Sequence, residues 1–275
     1  MTSAAALTVA LDTRDAMSSA RQRSVLASLP RRFVIAAEGP ADVVVVSGLV
    51  ANWPDEVMRA VDSRARGVLV VDPGLADPDR VRDLANAVAG RAIVAVDTAY
   101  AMDRTWTTAR QEVAADAGTA SIVDSVVEVP ADRPGAPLVN ALVDQLAVVR
   151  PLLESLDALR LLDRGERRYL LGAPVGGTRV MLAGVASAIG RAALSLDVVA
   201  AERRWQIRFD ETALGRPTEV TVYDRAGARS HPLVYESGRR VAWQRLHDAV
   251  TGDGAVGYDL NDLSSDLRLA RRLLP

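Results

Sequence analysis

Three polar side chains follow two predicted strands at the point where each strand ends. Asp72 comes directly after the β-branched run 68–71, and Asp97 and Tyr100 follow the apolar run 92–96. Parallel sheets bind ligands at the carboxyl ends of their strands, so these side chains are candidates for ligand binding or proton transfer. Turn formation and helix capping are the competing explanation for such residues, and the sequence leaves both open.

A second polar pair, Asn140 and Asp144, lies on a predicted helix that begins near Leu138. Positions four apart share one face of a helix, so the two side chains are expected to point together into a cleft between domains. Burial there would raise the pKa of Asp144 and suit it to act as a general acid or base. A solvated helix face, the usual place for charged residues, is the alternative.

The composition excludes several kinds of chemistry. The 275 residues include no cysteine and two histidines, and all 33 basic residues are arginines. Disulfides, thiolate catalysis, thiolate metal sites and histidine-rich metal sites are therefore excluded, as are Schiff-base lysines and a P-loop lysine. The net charge of -2 gives no electrostatic reason to expect nucleic acid or an anionic membrane as a partner. The N-terminus lacks a signal-peptide pattern and no apolar run approaches about 20 residues, so a cytoplasmic protein is expected.

Strands and helices alternate repeatedly over the first hundred residues. The central stretch, 41–76, is typical of strand, helix and strand, because 43–46 and 68–71 are β-branched runs that suit strands buried on both faces. The helix between them begins near Pro54. This pattern predicts an N-terminal α/β domain, residues 1–100, built as a Rossmann-like doubly wound parallel sheet.

The second half, residues 101–275, has a different pattern. Strand-like runs follow one another without helices between them, which predicts an α+β domain with a large, mostly antiparallel sheet and a final helix from 260 to 274. The predicted strands are 121–129, 194–200, 204–209, 219–223 and 233–235. The glycine-rich stretch 172–177 has no lysine beside it, and we interpret it as a flexible connection rather than a phosphate loop.

Three stretches resemble the Gfo/Idh/MocA oxidoreductases, a family that includes glucose–fructose oxidoreductase and inositol dehydrogenase. Residues 41–47 resemble the strand before the family's nicotinamide-side loop, 67–76 resemble the segment that carries Glu-Lys-Pro, and 258–274 resemble the final helix. The resemblance implies a domain that binds NAD(P) and an α+β domain, with a cleft between them for a small molecule. It also implies self-association through the open face of the C-terminal sheet.

The residues that would carry the family's chemistry are replaced in this sequence. The turn after the first strand, 11–16, has no glycine and contains two aspartates, although backbone N–H groups would have to approach a pyrophosphate there. The family's lysine falls near Pro73, and its aspartate and catalytic histidine fall at Asn140 and Asp144. Relative to the family, the first domain is also short by about one strand and one helix. The sequence therefore predicts that no cofactor is bound.

Three functions remain open. The first is a pseudoenzyme or accessory subunit that has lost NAD(P)-dependent redox activity and forms a homo-oligomer or pairs with a related oxidoreductase. The second is a cofactor-independent lyase, isomerase or cyclase that uses Asp144 and its neighbours as acid or base. The third is an NAD(P)-dependent oxidoreductase of a sugar, cyclitol or other small metabolite with an atypical phosphate loop. The missing glycines and lysine favour the first two.

Overall fold

The computed structural model describes residues 6–274 except 13, 38, 99, 133–136, 154, 189–190, 211–215 and 253. Its helices are α1 (Ala16–Ala27), α2 (Trp53–Asp62), α3 (Pro78–Val88), α4 (Arg104–Ala117), α5 (Pro137–Val149), α6 (Gly238–Thr251) and α7 (Leu260–Leu273). Its strands are β1 (Leu7–Ala10), β2 (Phe33–Ile35), β3 (Val43–Ser47), β4 (Gly67–Val71), β5 (Ile93–Asp97), β6 (Ile122–Pro130), β7 (Arg160–Gly165), β8 (Arg168–Val175), β9 (Thr178–Ser187), β10 (Ala193–Val199), β11 (Arg204–Phe209), β12 (Glu219–Asp224) and β13 (Gly227–Ser230). A short 3₁₀ helix, Arg150–Leu152, follows α5 directly.

The elements form two compact units. The first contains the chain up to Thr98 together with Arg239–Ser265, and the second contains Ala99–Gly238 and the chain from Asp266 onward. The sequence analysis placed a single domain boundary near residue 100. The first unit also includes α6, which lies far beyond that boundary in the chain.

The return of α6 has a clear packing reason. Trp243 of α6 is fully buried, and its indole N–H donates a hydrogen bond to Gln22 of α1 at 2.7 Å. The Trp243 ring also meets the edge of Phe33 with the ring centroids 4.9 Å apart. An aromatic contact of this kind buries a large apolar area, which holds α6 against the first unit.

The first unit is built on a parallel sheet of five strands in the order β2-β1-β3-β4-β5. Every residue of β4 is buried, as expected for a central strand that is covered on both faces. The crossover from β1 to β2 runs in one direction along the sheet, and those from β3 to β4 and from β4 to β5 run in the other. Right-handed connections then place α1 on one face and α2 and α3 on the opposite face. The predicted Rossmann-like doubly wound sheet is confirmed.

Aspartates fix the start of two helices. Asp77 accepts hydrogen bonds from the backbone N–H groups of Asp79 and Arg80 at 2.9 and 3.3 Å, and Pro78 takes the first position of α3. Asp103 caps α4 by accepting from Trp106 N at 3.0 Å. Burial raises the pKa of the Asp103 carboxyl, although hydrogen bonds to its oxygens oppose the shift.

The second unit is built on a sheet of eight strands in the order β13-β12-β11-β10-β6-β9-β8-β7. Strands β6 and β9 pair in parallel, and the other neighbours pair antiparallel. Helices α4 and α5 pack on one face, toward which alternate residues of β6, beginning at Val123, are buried. The predicted α+β domain with a large, mostly antiparallel sheet is confirmed. Among the described residues, no helix has the length and apolar character needed to cross a membrane.

The stretch 172–177 is part of a β-hairpin, so its interpretation as a flexible connection is wrong. Strand β8 continues to Val175, which pairs directly with Thr178 of β9. Gly176 and Gly177 form the two-residue turn between them with φ of +56° and +93°. Glycine adopts positive φ without a steric penalty, so turn geometry accounts for both glycines.

The prediction of a strand at 233–235 is also wrong. Strand β12 turns back through Arg225 and Ala226, and β13 begins at Gly227, which pairs with Asp224. The return strand is therefore complete before Pro232, a residue that has no N–H to donate within a sheet.

Candidate functional site

The turn between β1 and α1 is closed by an ion pair of its own residues. Arg14 donates to Asp12 from its Nε and Nη2 atoms, each at 2.9 Å, and its backbone N–H donates to the same carboxylate at 3.1 Å. Its remaining guanidinium nitrogen bonds Glu56 of α2. Burial raises the pKa of Asp12, but the hydrogen bonds from Arg14 and Ser47 outweigh it and hold that pKa below its usual value. The bonds to Asp12 and Glu56 raise the pKa of Arg14, so both charges persist at neutral pH.

A second carboxylate, Asp15, lies at the N-terminus of α1. Its Oδ1 accepts a hydrogen bond from the backbone N–H of Ser18 at 3.0 Å, and its Oδ2 accepts one from the hydroxyl of Ser47 at 3.0 Å. Ser47 is the last residue of β3, so this carboxylate joins two elements of the first unit. An anion at this end of a helix is stabilised by the helix dipole and by the exposed N–H groups.

This arrangement can be compared with the requirements of a dinucleotide. In a Rossmann-like sheet, the turn after the first strand offers backbone N–H groups to a pyrophosphate at the start of the first helix. Here the Ser18 N–H is bonded to Asp15, and the carboxylate of Asp12 lies in the same turn. The described residues of this turn do not fit a pyrophosphate, because a first-turn N–H that would donate to it is already bonded to the Asp15 carboxylate, and a second carboxylate, Asp12, lies beside it.

The loops after β3 and β4 are held together by two glycines. Gly48 donates to Val71 O at 2.7 Å and accepts from Gly74 N at 3.1 Å. A Cβ atom at Gly48 would lie 2.7 Å from Asp72 O and 2.8 Å from Gly74 N, and it would also overlap Pro73 Cα. Because the opposing atoms are backbone, the loop after β4 would have to shift to admit a side chain at position 48. Asp72 adopts a φ of 46° within that loop, which is uncommon for a residue other than glycine.

Arg239 connects two of the predicted site residues. Its Nη2 lies 3.1 Å from the Asp72 carboxylate, and its Nε lies 3.6 Å from the Asp97 carboxylate. The three side chains are 16%, 17% and 3% exposed for Arg239, Asp72 and Asp97 respectively. Asp72 and Asp97 thus come together at the carboxyl ends of β4 and β5, as expected, but they are joined by an arginine that our sequence analysis missed. No local signal could have identified Arg239, because it lies 167 residues from Asp72 in the chain.

In the second unit, Asn140 and Asp144 are buried on α5. Their exposed fractions are 9% and 7%, so they do not form the solvated helix face that was the alternative interpretation. Burial raises the pKa of Tyr169 far above its ordinary value, and the charge of Asp144 raises it further. Asp144 therefore lies close enough to Tyr169 to act on it electrostatically.

A buried hydrogen-bond network lies beside Asp144, and the sequence analysis missed it too. The Tyr169 hydroxyl donates to Gln145 Oε1 at 2.9 Å, and Gln145 Nε2 donates to the carbonyl and hydroxyl oxygens of Ser125 at 3.0 Å each. Gly184 faces the Tyr169 ring, where a Cβ atom would overlap it. The alternation of buried residues along β6, which includes Ser125 among the valines, is the one sequence signal of this network.

Tyr100 also belongs to the second unit and packs in its core. It is 3% exposed, and its ring centroid lies 5.6 Å from that of Phe209, which in turn meets the edge of Trp106. The geometry within this unit supports a packing role for Tyr100. Across the described ranges, no group of histidine and acidic side chains could hold a metal ion.

The comparisons with known proteins concern the fold. No family model matches the chain, and no curated protein matches it by sequence. The solved structure of UDP-N-acetylglucosamine 3-dehydrogenase GnnA from Acidithiobacillus ferrooxidans is similar over 96% of this chain and 87% of its own length, with a TM-score of 0.65 and 13% identity. A dehydrogenase from Chromobacterium violaceum gives a TM-score of 0.65 at 13% identity, over 96% of this chain and 85% of its own. The transcriptional regulator Gal80p from Kluyveromyces lactis gives 0.71 at 10% identity, over 99% and 92%.

Identities this low establish the fold and leave activity open. The similarities extend over nearly the whole chain and include both dehydrogenases and a transcriptional regulator. The chain therefore has the fold of the Gfo/Idh/MocA oxidoreductases, as its sequence resemblance predicted.

Proposed function

We propose that this protein is a non-redox relative of the Gfo/Idh/MocA oxidoreductases that serves in the cytoplasm as an accessory or regulatory subunit. The observation that carries the proposal is the Asp15 carboxylate at the N-terminus of α1, bonded to Ser18 N and to Ser47 Oγ. When a carboxylate of the protein itself accepts from the N–H at the start of the first helix, that N–H is no longer available to the pyrophosphate of NAD(P).

Two further features support this proposal. The family's lysine falls near Pro73, and neither Pro73 nor its neighbours Asp72 and Gly74 has a cationic side chain that could steer hydride transfer. Gal80p, a transcriptional regulator, has the same fold, so the fold is compatible with functions other than redox catalysis.

Calorimetric titration with NADH and NADPH tests the loss of cofactor binding. We expect no saturable heat with either dinucleotide up to about 1 mM, a limit that corresponds to roughly -4 kcal/mol of binding free energy. A dinucleotide-dependent dehydrogenase titrated under the same conditions is the positive control. Saturation at micromolar concentration would overturn the proposal and restore the NAD(P)-dependent oxidoreductase with an atypical phosphate loop.

For assembly, we propose that the face of the eight-stranded sheet opposite α4 and α5 binds a second copy of the chain. Val126 and Val185 are each 40% exposed on this face. Asp124 of β6 shares the face with the exposed Arg179 of β9 and Arg208 of β11. A face that carries apolar side chains and both signs of charge can be complementary to itself across a two-fold axis.

Multi-angle light scattering with one variant at this face tests the assembly. We expect the natural chain to have the mass of two copies and Val126→Arg to have the mass of one, because an arginine at the centre of the face cannot be desolvated without a partner. Val34→Arg, at a valine of β2 that is 54% exposed, is the matched control and should remain dimeric. A monomeric natural chain would contradict the homodimer. Recovery of the doubled mass after a related oxidoreductase is added would then indicate a mixed assembly.

The burial of Asp144 and Asn140 favours a second candidate function, a cofactor-independent lyase, isomerase or cyclase. A buried carboxylate close to a tyrosine is a common arrangement for proton transfer. Asp144→Asn separates the two candidates. An accessory subunit should support its host pathway unchanged, and an enzyme that uses Asp144 should lose activity by roughly a hundredfold or more.

A further inference from the structure

We infer that two copies of the chain meet through their eight-stranded sheets about one particular two-fold axis, which sets Asp124 of each copy against Arg208 of the other. The inference rests on the homodimer proposed above and adds the register in which the two open faces meet. It makes Asp124 and Arg208 the residues that decide which partner this face accepts.

Asp124 is a half-buried carboxylate that lacks a cation. It lies on β6 directly opposite Asp197 of β10, and in the part of the chain that the structure describes it makes neither a hydrogen bond nor an ion pair. Asp197, by contrast, accepts from Arg204 at 2.6 Å and from Gln206 at 3.1 Å. Burial and the charge of Asp197 raise the pKa of Asp124. A carboxylate in this position is stabilised by a cation that a second chain supplies.

Arg208 is a cation of the same face that can supply this charge. It is exposed on β11 and has no ion pair among the described residues, although Glu219 lies opposite it on β12. Strand β10 lies between Arg208 and Asp124, and the two form no ion pair within one chain. A two-fold axis brings them together, because residue i of one copy then contacts residue j of the other and the reverse.

The exposed valines Val126 and Val185 show where that axis lies. Val185 pairs with Glu128 of β6, two residues beyond Val126, so the line between the valines runs diagonally across the strands. Neighbouring strands are about 4.8 Å apart and alternate residues about 6.8 Å apart along a strand, which sets this diagonal at about 35° to the strand direction. The line from Asp124 to Arg208 spans two strands and leans the opposite way by two residues, so it crosses the diagonal at about a right angle.

A two-fold axis parallel to this diagonal therefore matches both features. Val126 and Val185 lie within about 2 Å of the axis in the plane of the face and meet their own counterparts in the second copy. Asp124 and Arg208 lie on opposite sides of the axis and change places, so each dimer contains two contacts between a carboxylate and a guanidinium. The strands of the two copies cross at about 70°, twice the angle of the diagonal, which is nearer to the orthogonal than to the aligned class of sheet packing.

The same axis brings a second pair of opposite charges together. Arg179 of β9 and Glu219 of β12 are both exposed on this face, and three strands separate them within one chain. On the same strand spacing, the rotation places Arg179 within about 4 Å of the position of Glu219 in the plane of the face. Two charge matches beside a shared apolar line favour this register over one that apolar contact alone would select.

Charge reversal tests the register. Asp124→Arg and Arg208→Glu each bring like charges together twice in a dimer. Each variant alone should therefore dimerise at least about 30-fold more weakly than the natural chain, the effect expected when one partner of a buried charge pair is lost. An equimolar mixture of the two restores both contacts and should recover the doubled mass in light scattering. Native mass spectrometry should then show one chain of each variant in the recovered dimer.

Arg225→Glu is the matched control, because it makes the same charge change at a side chain that is 87% exposed in the turn between β12 and β13. It should dimerise like the natural chain. If Arg208→Glu does not fold beside Glu219, Arg208→Gln takes its place in the mixture, which should still dimerise more tightly than Asp124→Arg alone.

The outcomes separate this inference from the homodimer on which it rests. A mixture that stays monomeric while the natural chain is dimeric would overturn the register and leave the homodimer standing. Full dimerisation of Asp124→Arg alone would do the same. A monomeric natural chain would contradict the homodimer itself, and the register with it.

Discussion

Replacing Arg239 by methionine is expected to lower the free energy of unfolding by about 3–5 kcal/mol, the usual cost of removing one partner from a buried ion pair. Methionine retains most of the apolar stem but removes the charge that lies beside the carboxylates of Asp72 and Asp97. Asp97 carries the larger share of this cost because its side chain is 3% exposed. Urea denaturation followed by circular dichroism measures the change.

Two variants test whether charge is the cause. Arg240→Met, one position along α6, removes the hydrogen bonds to the carbonyl and hydroxyl of Ser28 at the surface, and it should cost about 1 kcal/mol or less. Adding Asp97→Asn to Arg239→Met should recover at least about 1 kcal/mol, because the buried carboxylate that lost its interaction with Arg239 is then replaced by a neutral amide. Equal losses for Arg239→Met and Arg240→Met, without recovery in the double variant, would refute the role of the buried charges.

Replacing Gly48 by alanine is expected to cost about 2–4 kcal/mol, at or above the usual range for overpacking, because the added atom meets backbone. The methyl group would overlap Pro73 Cα and lie 2.7 Å from Asp72 O, and neither atom can move without shifting the whole loop after β4. The same shift would disturb the pairing of Asp72 with Arg239, so local exchange protection of that loop should fall as well.

Gly118→Ala is the matched control for this substitution. Gly118 follows α4 with a φ of -64°, and a Cβ atom there would meet nothing within 4 Å. Alanine at such a position should be neutral or stabilising by up to about 1 kcal/mol. If Gly48→Ala were as stable as Gly118→Ala, the two loops would not be locked in the way described above.

The first unit could be predicted well because its signals are local. The β-branched runs 43–46 and 68–71 became the central strands β3 and β4, and Asp77 with Pro78 marked the start of α3. Each of these signals is contained within a few neighbouring residues. The family resemblance rested in part on the same two strands, together with 258–274, and it correctly predicted the fold.

The features that escaped prediction depend on distant residues or on weak patterns. Every residue of β7 except Gly165 is exposed, so its sequence carries no alternation of polar and apolar side chains, and β7 was not recognised as a strand. The pairing of Arg239 with Asp72, and that of Asp15 with Ser47, join residues from different elements. Two aspartates between β1 and α1 indicated that a pyrophosphate would be repelled. Only the structure shows that one of them, Asp15, bonds Ser18 N and Ser47 Oγ.

The central claim is that this fold persists with an internal carboxylate at its phosphate position. A crystal structure determined after growth in saturating NADH tests that claim most directly. The account predicts that Asp15 remains bonded to Ser18 N and Ser47 Oγ, with no dinucleotide at the start of α1. A dinucleotide lying across residues 12–16, with the Asp15 carboxylate displaced, would contradict it.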